Sequence, residues 1–235
     1  MPQKLRCEVT AVVDHGERVY SVFLKPDSAA PRFVPGQFLH LALDPYRPGD
    51  FWPESRVFSI ASAPAERSLL RITYAVKGQF TSGMESELHG GREVWIKLPY
   101  GAFAMRNDAD ACLLAGGTGI TAFTAFLSGL PADYPHRIHL FYGARRSDLL
   151  IYRPLVQAAA QHCPNLQAHY FAERNTDGVD CLPGRLELDT IWKLLPDPPA
   201  MMYNLSGPPE MLDALRQGLG DRGVDPRRVV VDAWE

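Results

Sequence analysis

The chain has no apolar run approaching the roughly 20 residues a membrane helix needs, and its opening segment Met1-Pro2-Gln3-Lys4-Leu5-Arg6 lacks the apolar stretch of a secretory signal. The cytoplasm is therefore the expected compartment. Neither sign of charge is in excess: 24 Lys and Arg stand against 27 Asp and Glu, a formal net charge of -3. With 46% hydrophobic and 22% charged residues, this is the composition of a globular protein rather than a nucleic-acid binder or a disordered tail. Cysteine is scarce, and Cys7, Cys112, Cys163 and Cys181 show no C-x-x-C or similar spacing, which excludes the usual zinc and iron–sulfur frameworks and leaves reduced, buried thiols. The histidines, too, show no metal-ligand spacing and are expected to be core or solvated residues, so no metal is expected. No Ser/His/Asp or Cys/His triad is evident, nor any internal repeat or low-complexity tract.

What the chain does have is two halves of different rhythm. From Lys4 to Pro99 apolar residues alternate with polar ones, as in Leu5, Cys7, Val9 and again in Leu70, Ile72, Tyr74, Val76. Turn-forming stretches such as Asp14-His15-Gly16 and Asp44-Pro45-Tyr46-Arg47-Pro48-Gly49-Asp50 separate these runs. Short strands punctuated this way predict an antiparallel barrel, interrupted by one helix over about Phe80–Leu88. After Met105-Arg106-Asn107-Asp108 strand and helix patterns alternate. Strands are expected at Ala111–Ala115, Ile138–Tyr142, Leu166–Phe171, Met201–Leu205 and Val229–Val231, with a helical pattern after each of the first four. That alternation predicts a parallel sheet covered on both faces. A length of 235 residues suits two such domains, each with its own core.

The most informative stretch is Leu113-Leu114-Ala115-Gly116-Gly117-Thr118-Gly119-Ile120-Thr121-Ala122-Phe123, an apolar strand that enters a glycine turn and leaves it as an apolar helix. Backbone N–H groups at a helix start lack intrahelical acceptors and lie at the positive end of the dipole, so such a turn favours a diphosphate. Glycine alone also serves ordinary strand-to-helix turns. Three further segments accompany it: Arg56-Val57-Phe58-Ser59-Ile60-Ala61-Ser62, Ala75-Val76-Lys77-Gly78-Gln79-Phe80-Thr81-Ser82-Gly83-Met84, and Tyr203-Asn204-Leu205-Ser206-Gly207-Pro208-Pro209-Glu210-Met211. In order, and over nearly the whole chain, these resemble the ferredoxin–NADP reductase superfamily of flavin-dependent oxidoreductases.

The resemblance implies a fold and a set of roles. The expected architecture is an N-terminal antiparallel six-stranded β-barrel with one helix, residues 1–106, binding FAD. An α/β domain with a parallel five-stranded sheet, residues 107–235, would then bind NAD(P). By analogy, Arg56 holds flavin phosphate, Phe58 packs on the isoalloxazine, and Ser59 hydrogen-bonds near the redox-active nitrogen, with Val57 between them. The family usually has tyrosine where this chain has Phe58, so stacking is kept and a hydrogen bond to the ribityl chain is lost. Lys77, Gly78, Phe80 and Thr81 correspond to the turn that meets the flavin's phosphates. FAD suits this turn better than FMN. Thr81 also reads as a plain helix cap.

On the nicotinamide side, Gly116, Gly117, Thr118 and Gly119 match the pyrophosphate turn. Ser206, Gly207 and Pro208 match the segment near the nicotinamide, where the family commonly has cysteine in place of Ser206. Arg145 and Arg174 follow predicted strands and suit the 2′-phosphate of NADPH, while Glu173 keeps NADH open. Trp234, beside the terminus, corresponds to an aromatic residue that covers the flavin in related reductases, or else anchors the last strand. Ser59, Ser206 and Trp234 are the residues expected nearest the reacting atoms. Arg222, Arg227 and Arg228 read as a solvated charged loop, with a docking patch for an acidic carrier as the alternative.

The implied activity is oxidation of NADPH or NADH and transfer of electrons, through bound FAD, to a separate protein acceptor such as ferredoxin, flavodoxin or an oxygenase component. A free-flavin reductase and a non-catalytic flavoprotein or redox-sensing subunit are the alternatives.

Overall fold

The computed structural model describes residues 2–103, 105 and 108–232, and the chain divides into two compact units, Met1–Ala104 and Met105–Glu235. In the first, six strands pair antiparallel: β1 (Gln3–Asp14), β2 (Val19–Pro26), β3 (Phe38–Ala42), β4 (Arg56–Ser59), β5 (Leu70–Ala75) and β6 (Glu93–Tyr100). Their order is β4-β3-β6-β1-β2-β5. Just past the end strand β4, the Ala61 N–H donates to the Arg71 carbonyl of β5 at 2.8 Å, and the Arg71 N–H donates to the Ser62 hydroxyl at 3.2 Å. The sheet thus curls until its two ends meet, leaving few unpaired edge groups. Strand alternation places Leu5, Cys7, Leu39, Leu41, Leu70 and Ile72 inside. The single helix α1 (Gln79–Glu87) adds its buried Met84 to this core.

Helix α1 is held by charge as well as by Met84. The Glu85 carboxylate accepts from the Arg18 guanidinium at 2.5 Å and from the Tyr20 hydroxyl at 3.0 Å. Its Arg18 partner lowers the Glu85 pKa, so the link persists into mild acid.

The second unit alternates strand and helix: β7 (Ala111–Gly116), α2 (Thr121–Ser128), β8 (Ile138–Arg146), α3 (Arg153–His162), β9 (Leu166–Arg174), β10 (Leu182–Pro183), α4 (Leu188–Leu194), β11 (Met202–Ser206), α5 (Pro209–Asp221) and β12 (Val229–Val231). All pairs are parallel, in the order β10-β9-β8-β7-β11-β12. The five strands expected from the pattern are present. The sheet nevertheless has six, because β10 joins its edge. β10 pairs with only Phe171 and Ala172, too few residues to show any alternation. Central strand β7 is buried along its whole length, as a strand covered on both faces must be. From β7 the chain builds outward through β8 and β9, then returns to add β11 on the other side. The resulting crevice between β7 and β11, at the carboxyl ends of the strands, is where open α/β sheets hold ligands.

Candidate functional site

Strand β4 and the start of α1 bring the flavin-side residues together. Register pairs Phe58 with Leu39 and Arg56 with Leu41, both core residues, while Val57 and Ser59 oppose His40 and Phe38 on the other face. Phe58 accordingly packs against the barrel core. The exposed Arg56 guanidinium lies 5.1 Å from the centre of the Phe80 ring in the first turn of α1, and pairs with Glu54 at 2.9 Å. A cation therefore stands next to a helix N-terminus, the arrangement an anion wants.

The turn itself is built from Lys77, Gly78 and Thr81. The Thr81 hydroxyl accepts from the Lys77 and Gly78 N–H groups at 2.9 and 3.1 Å and donates to the Gly78 carbonyl at 3.1 Å. Its side chain shapes the turn, which accords with the capping role. Gly78 occupies the cap position and has no side chain to offer the first helical N–H groups. Its φ of -159° is extended, and a Cβ there would meet nothing within 4 Å. Neither strain nor packing demands glycine at 78. What its bare Cα leaves is open space beside the first turn of α1, near which the Arg56 guanidinium stands.

The nicotinamide-side turn is close-packed instead. A Cβ on Gly119 would sit 2.4 Å from the Ser206 carbonyl oxygen and 2.6 Å from the Gly207 nitrogen. One on Gly116 would meet the Met211 sulfur at 2.6 Å, and one on Gly207, at φ +155°, would come within 3.0 Å of the Gly116 backbone. The turns after β7 and β11 are therefore pressed backbone to backbone. Gly117, at φ +55°, differs: a Cβ there meets nothing within 4 Å. It faces open space at the head of the turn that starts α2, where a diphosphate would lie.

Ser206 is buried at the end of β11, and its hydroxyl donates to the Asp232 carboxylate at 3.1 Å. Asp232 is itself buried, and its N–H donates to the Leu205 carbonyl at 2.8 Å. Sequence reasoning missed Asp232. Its signal was an acidic residue directly after three valines, at the carboxyl end of a parallel strand. Pro208 caps α5, and Pro209 opens it.

At the carboxyl ends of β8 and β9, Arg146 aligns with Arg174. Arg146 is tied to Asp148 at 2.6 Å, and Glu173 to Arg185 at 3.1 Å. Among the described residues, the exposed Arg145 and Arg174 make no ion pair. The cations near the carboxyl end are, by contrast, engaged within the chain. Arg227 pairs with Asp225 at 2.5 Å, Arg228 donates to the Ala200 carbonyl at 2.5 Å, and Arg222 pairs with Asp189. Trp234 lies outside the described residues. Among those residues no group of three or more His, Cys, Asp or Glu could hold a metal ion.

Comparison with known proteins agrees with this architecture. Residues 113–217, which contain the glycine turn and the Ser206 segment, match the model of the oxidoreductase NAD-binding domain. The chain is 30% identical over 196 residues to the toluate 1,2-dioxygenase electron transfer component of Pseudomonas putida, covering 83% of this chain and 56% of the relative. It is 28% identical over 233 residues to a flavohemoprotein of Bordetella pertussis, covering 92% and 57%. The chain thus spans little more than half the length of these curated relatives. The crystal structure of the flavohem-like FAD/NAD binding domain of nitric oxide dioxygenase from Vibrio cholerae superposes with a TM-score of 0.81 at 18% identity, covering 97% of both chains.

The domain match over residues 113–217, the two-unit fold and these relatives are consistent with the ferredoxin–NADP reductase superfamily. Within a ferredoxin–NADP reductase-type chain, the two glycine features fall into different classes. Those at 116, 119 and 207 are required by packing, whereas Gly78 and Gly117 leave space. No helix of the described residues is long and apolar enough to cross a membrane.

Proposed function

We propose that this protein is a flavoprotein reductase that oxidises NADPH or NADH and passes the electrons, through bound FAD, to a separate acceptor protein. The observation that carries it is the open N-terminus of α1 at Gly78 beside Arg56, a phosphate site on the flavin side that a resident cofactor needs and a flavin used as a passing substrate does not. Relatives described as electron transfer or ferredoxin reductase components of oxygenases support a protein acceptor of that class. Free thiols at all four cysteines suit a reducing compartment, the cytoplasm.

Bound flavin would supply the exchange between two-electron donation by the nicotinamide and release to the acceptor. The chain supplies position. Arg56 and the N–H groups of α1 hold phosphate, Phe58 packs against the ring, and Ser59 presents a half-buried hydroxyl on the opposite face of β4. Gly116, Gly117, Thr118 and Gly119 hold the nucleotide's diphosphate. Ser206 has its proton committed to Asp232, so its oxygen is left with acceptor capacity only. That suits the carboxamide N–H of a nicotinamide. Arg145 and Arg174 are available to a 2′-phosphate while Arg185 engages Glu173, which favours NADPH.

The test is the visible spectrum of the purified, desalted protein, with the released flavin identified. Near-stoichiometric FAD is expected. A colourless protein that oxidises NAD(P)H only when free flavin is added would overturn the resident-cofactor reading and establish a flavin reductase.

A further inference from the structure

The outer face of the barrel carries a charge arrangement that the flavin and nicotinamide sites leave unused. In the register of β1 and β6, Lys4 lies directly opposite Lys97. Like charges in that position repel and destabilise the strand pair. No carboxylate of the chain offsets them. Among the described residues neither lysine forms an ion pair; the adjacent Arg6 and Glu93 pair with each other at 3.1 Å, and Glu54 is taken by Arg56. What both ammonium groups share is a ring. Trp52, in the connection from β3 to β4, has its ring centre 5.9 Å from Lys4 Nζ and 5.4 Å from Lys97 Nζ. Lys4 Nζ also lies 3.9 Å from the centre of the Tyr46 ring and donates to the Tyr46 hydroxyl at 2.7 Å. Lys97 Nζ lies 5.2 Å from the Tyr100 ring and has no hydrogen-bond acceptor among the described residues. A ring face attracts an ammonium group without neutralising it. The rings thus hold two like charges in place, and the balancing anion has to come from outside the chain.

His40 continues the row, opposite Lys97 on one side and Val57 on the other. Burial, and then the Lys97 charge, lower its pKa, so it stays neutral. Val57 is two residues along β4 from Ser59 and on the same face, about 7 Å of strand away. The row Val57, His40, Lys97, Lys4 therefore begins beside the residue that the reductase reading puts near the redox-active nitrogen. Next to Trp52 in the chain, Phe51 is 99% exposed, more than any other large apolar side chain among the described residues. An aromatic anchor with charge at its rim is the make-up of a protein-docking surface. The arginines near the carboxyl end offer no such charge: Arg222 and Arg227 are paired within the chain, and Arg228 donates to the Ala200 carbonyl.

Resting on the reductase reading above, we propose that this face, Lys4 and Lys97 with Trp52 and Phe51, is the docking surface for the electron acceptor, a protein that presents carboxylates around an apolar patch. A partner carboxylate seats on the two lysines beside the Trp52 ring, and Phe51 enters the partner's apolar patch. The docked acceptor then stands beside the Ser59 end of β4.

The test is anaerobic steady-state reduction of two acceptors by the flavin-loaded protein: an acidic plant-type ferredoxin, and menadione, a small neutral quinone. For the parent, the KM for ferredoxin should rise steeply as salt increases from about 20 to 200 mM, because screening weakens the attraction. The Lys4→Gln, Lys97→Gln double variant should raise that KM about tenfold at low salt and flatten its salt dependence, with menadione turnover and flavin content unchanged. Phe51→Ser should raise the ferredoxin KM at every salt concentration. Lys97→Arg, which keeps the charge, should behave as the parent. Parental ferredoxin kinetics in the double variant overturn the proposal, as does an equal loss on both acceptors, the mark of a structural effect. A parent that reduces menadione but not the ferredoxin at any salt overturns it too and leaves the reductase reading standing. A dimeric parent that Phe51→Ser dissociates in sedimentation gives the face to a second copy, against the proposal. A parent that oxidises neither NADPH nor NADH with menadione sinks the reductase reading and the docking surface together.

Discussion

Replacing Gly78 with serine should stabilise the empty protein and weaken its hold on flavin, two effects of opposite sign from one side chain. The backbone at 78 is extended, with φ -159° and ψ -172°, and a Cβ meets nothing within 4 Å, so serine enters without strain. Extended geometry is also what a capping serine requires. Half of a reciprocal cap already exists, because the Gly78 N–H donates to the Thr81 hydroxyl at 3.1 Å. A hydroxyl at 78 would complete it by accepting from the Thr81 N–H. A serine cap in place of glycine contributes a few tenths of a kcal/mol, and restricting the unfolded chain adds about 0.4–1 kcal/mol. The sum, roughly 1 kcal/mol, corresponds to a rise of about 4–8 °C for a unit of this size. The same hydroxyl fills the space over the helix N-terminus and takes an N–H from the phosphate. Losing one hydrogen bond to a charged group costs about 1.5–3 kcal/mol, or on the order of 10- to 100-fold in flavin affinity. Calorimetry of the apoprotein and FAD titration of the same preparation read both effects. A serine variant that melts higher yet binds FAD as tightly as the parent would refute the assignment of this space to a phosphate.

On the nicotinamide side, Gly119→Ala forces a Cβ to within 2.4 Å of the Ser206 carbonyl oxygen. Overpacking of that kind costs about 1–3 kcal/mol, so lower melting together with weaker NADPH binding is expected. Parental values for both would show that the two turns can separate freely. Arg174→Asp should weaken NADPH roughly tenfold, as a lost charge-assisted contact does, and leave NADH within about twofold. Equal losses for the two nucleotides in steady-state kinetics would remove Arg174 from the 2′-phosphate site. Acid should destabilise the second unit through His139 and His169, whose rings stack with planes 4° apart and each hide an unpartnered nitrogen. Burial lowers the pKa of both below 6.5; His169 and Arg137 lower His139 further, and Asp110 opposes them. Above about pH 6.5 both are neutral, folded or unfolded, and the stability they permit is fully present. Below it the unfolded chain takes protons the folded one refuses. Stability then falls by up to about 1.4 kcal/mol per pH unit for each histidine. Denaturant melts from pH 8 to 5 should show this slope reduced in His139→Gln, and an unaltered slope would exclude His139 as its source.

Much of the architecture was legible because local patterns and tertiary demands agree. The all-apolar run of β7 can only be a strand covered on both faces, and the glycines after it mark the turn. Leu70, Ile72 and Tyr74 alternate as an inward face, and so they pack. What stayed hidden depends on partners distant in sequence. The Ser206–Asp232 bond spans 26 residues, and the Glu173–Arg185 pair forms only when the segment after β9 folds back. Nor does a sequence distinguish a glycine needed for packing from one that leaves room: Gly119 and Gly78 look alike until a Cβ is placed on each. Tyr74 reads as core from its spacing, and only its neighbours reveal that its hydroxyl lacks a partner.

The contact of Gly116 and Gly119 with Ser206 and Gly207 has a consequence for anyone recombining this chain with its relatives. Two loops about 90 residues apart meet backbone to backbone, with the Met211 and Pro208 side chains packed tightly against Gly116, so they behave as one inherited part. A chimera that imports the 116–121 loop alone would carry a seam inside its nucleotide cleft; importing 206–211 with it keeps the seam outside. Arg145 and Arg174, exposed at strand ends and free of such contact, can be exchanged singly. If Arg145 and Arg174 meet the 2′-phosphate as proposed, nucleotide preference can be altered one residue at a time, whereas the 116–121 and 206–211 loops must be transplanted together.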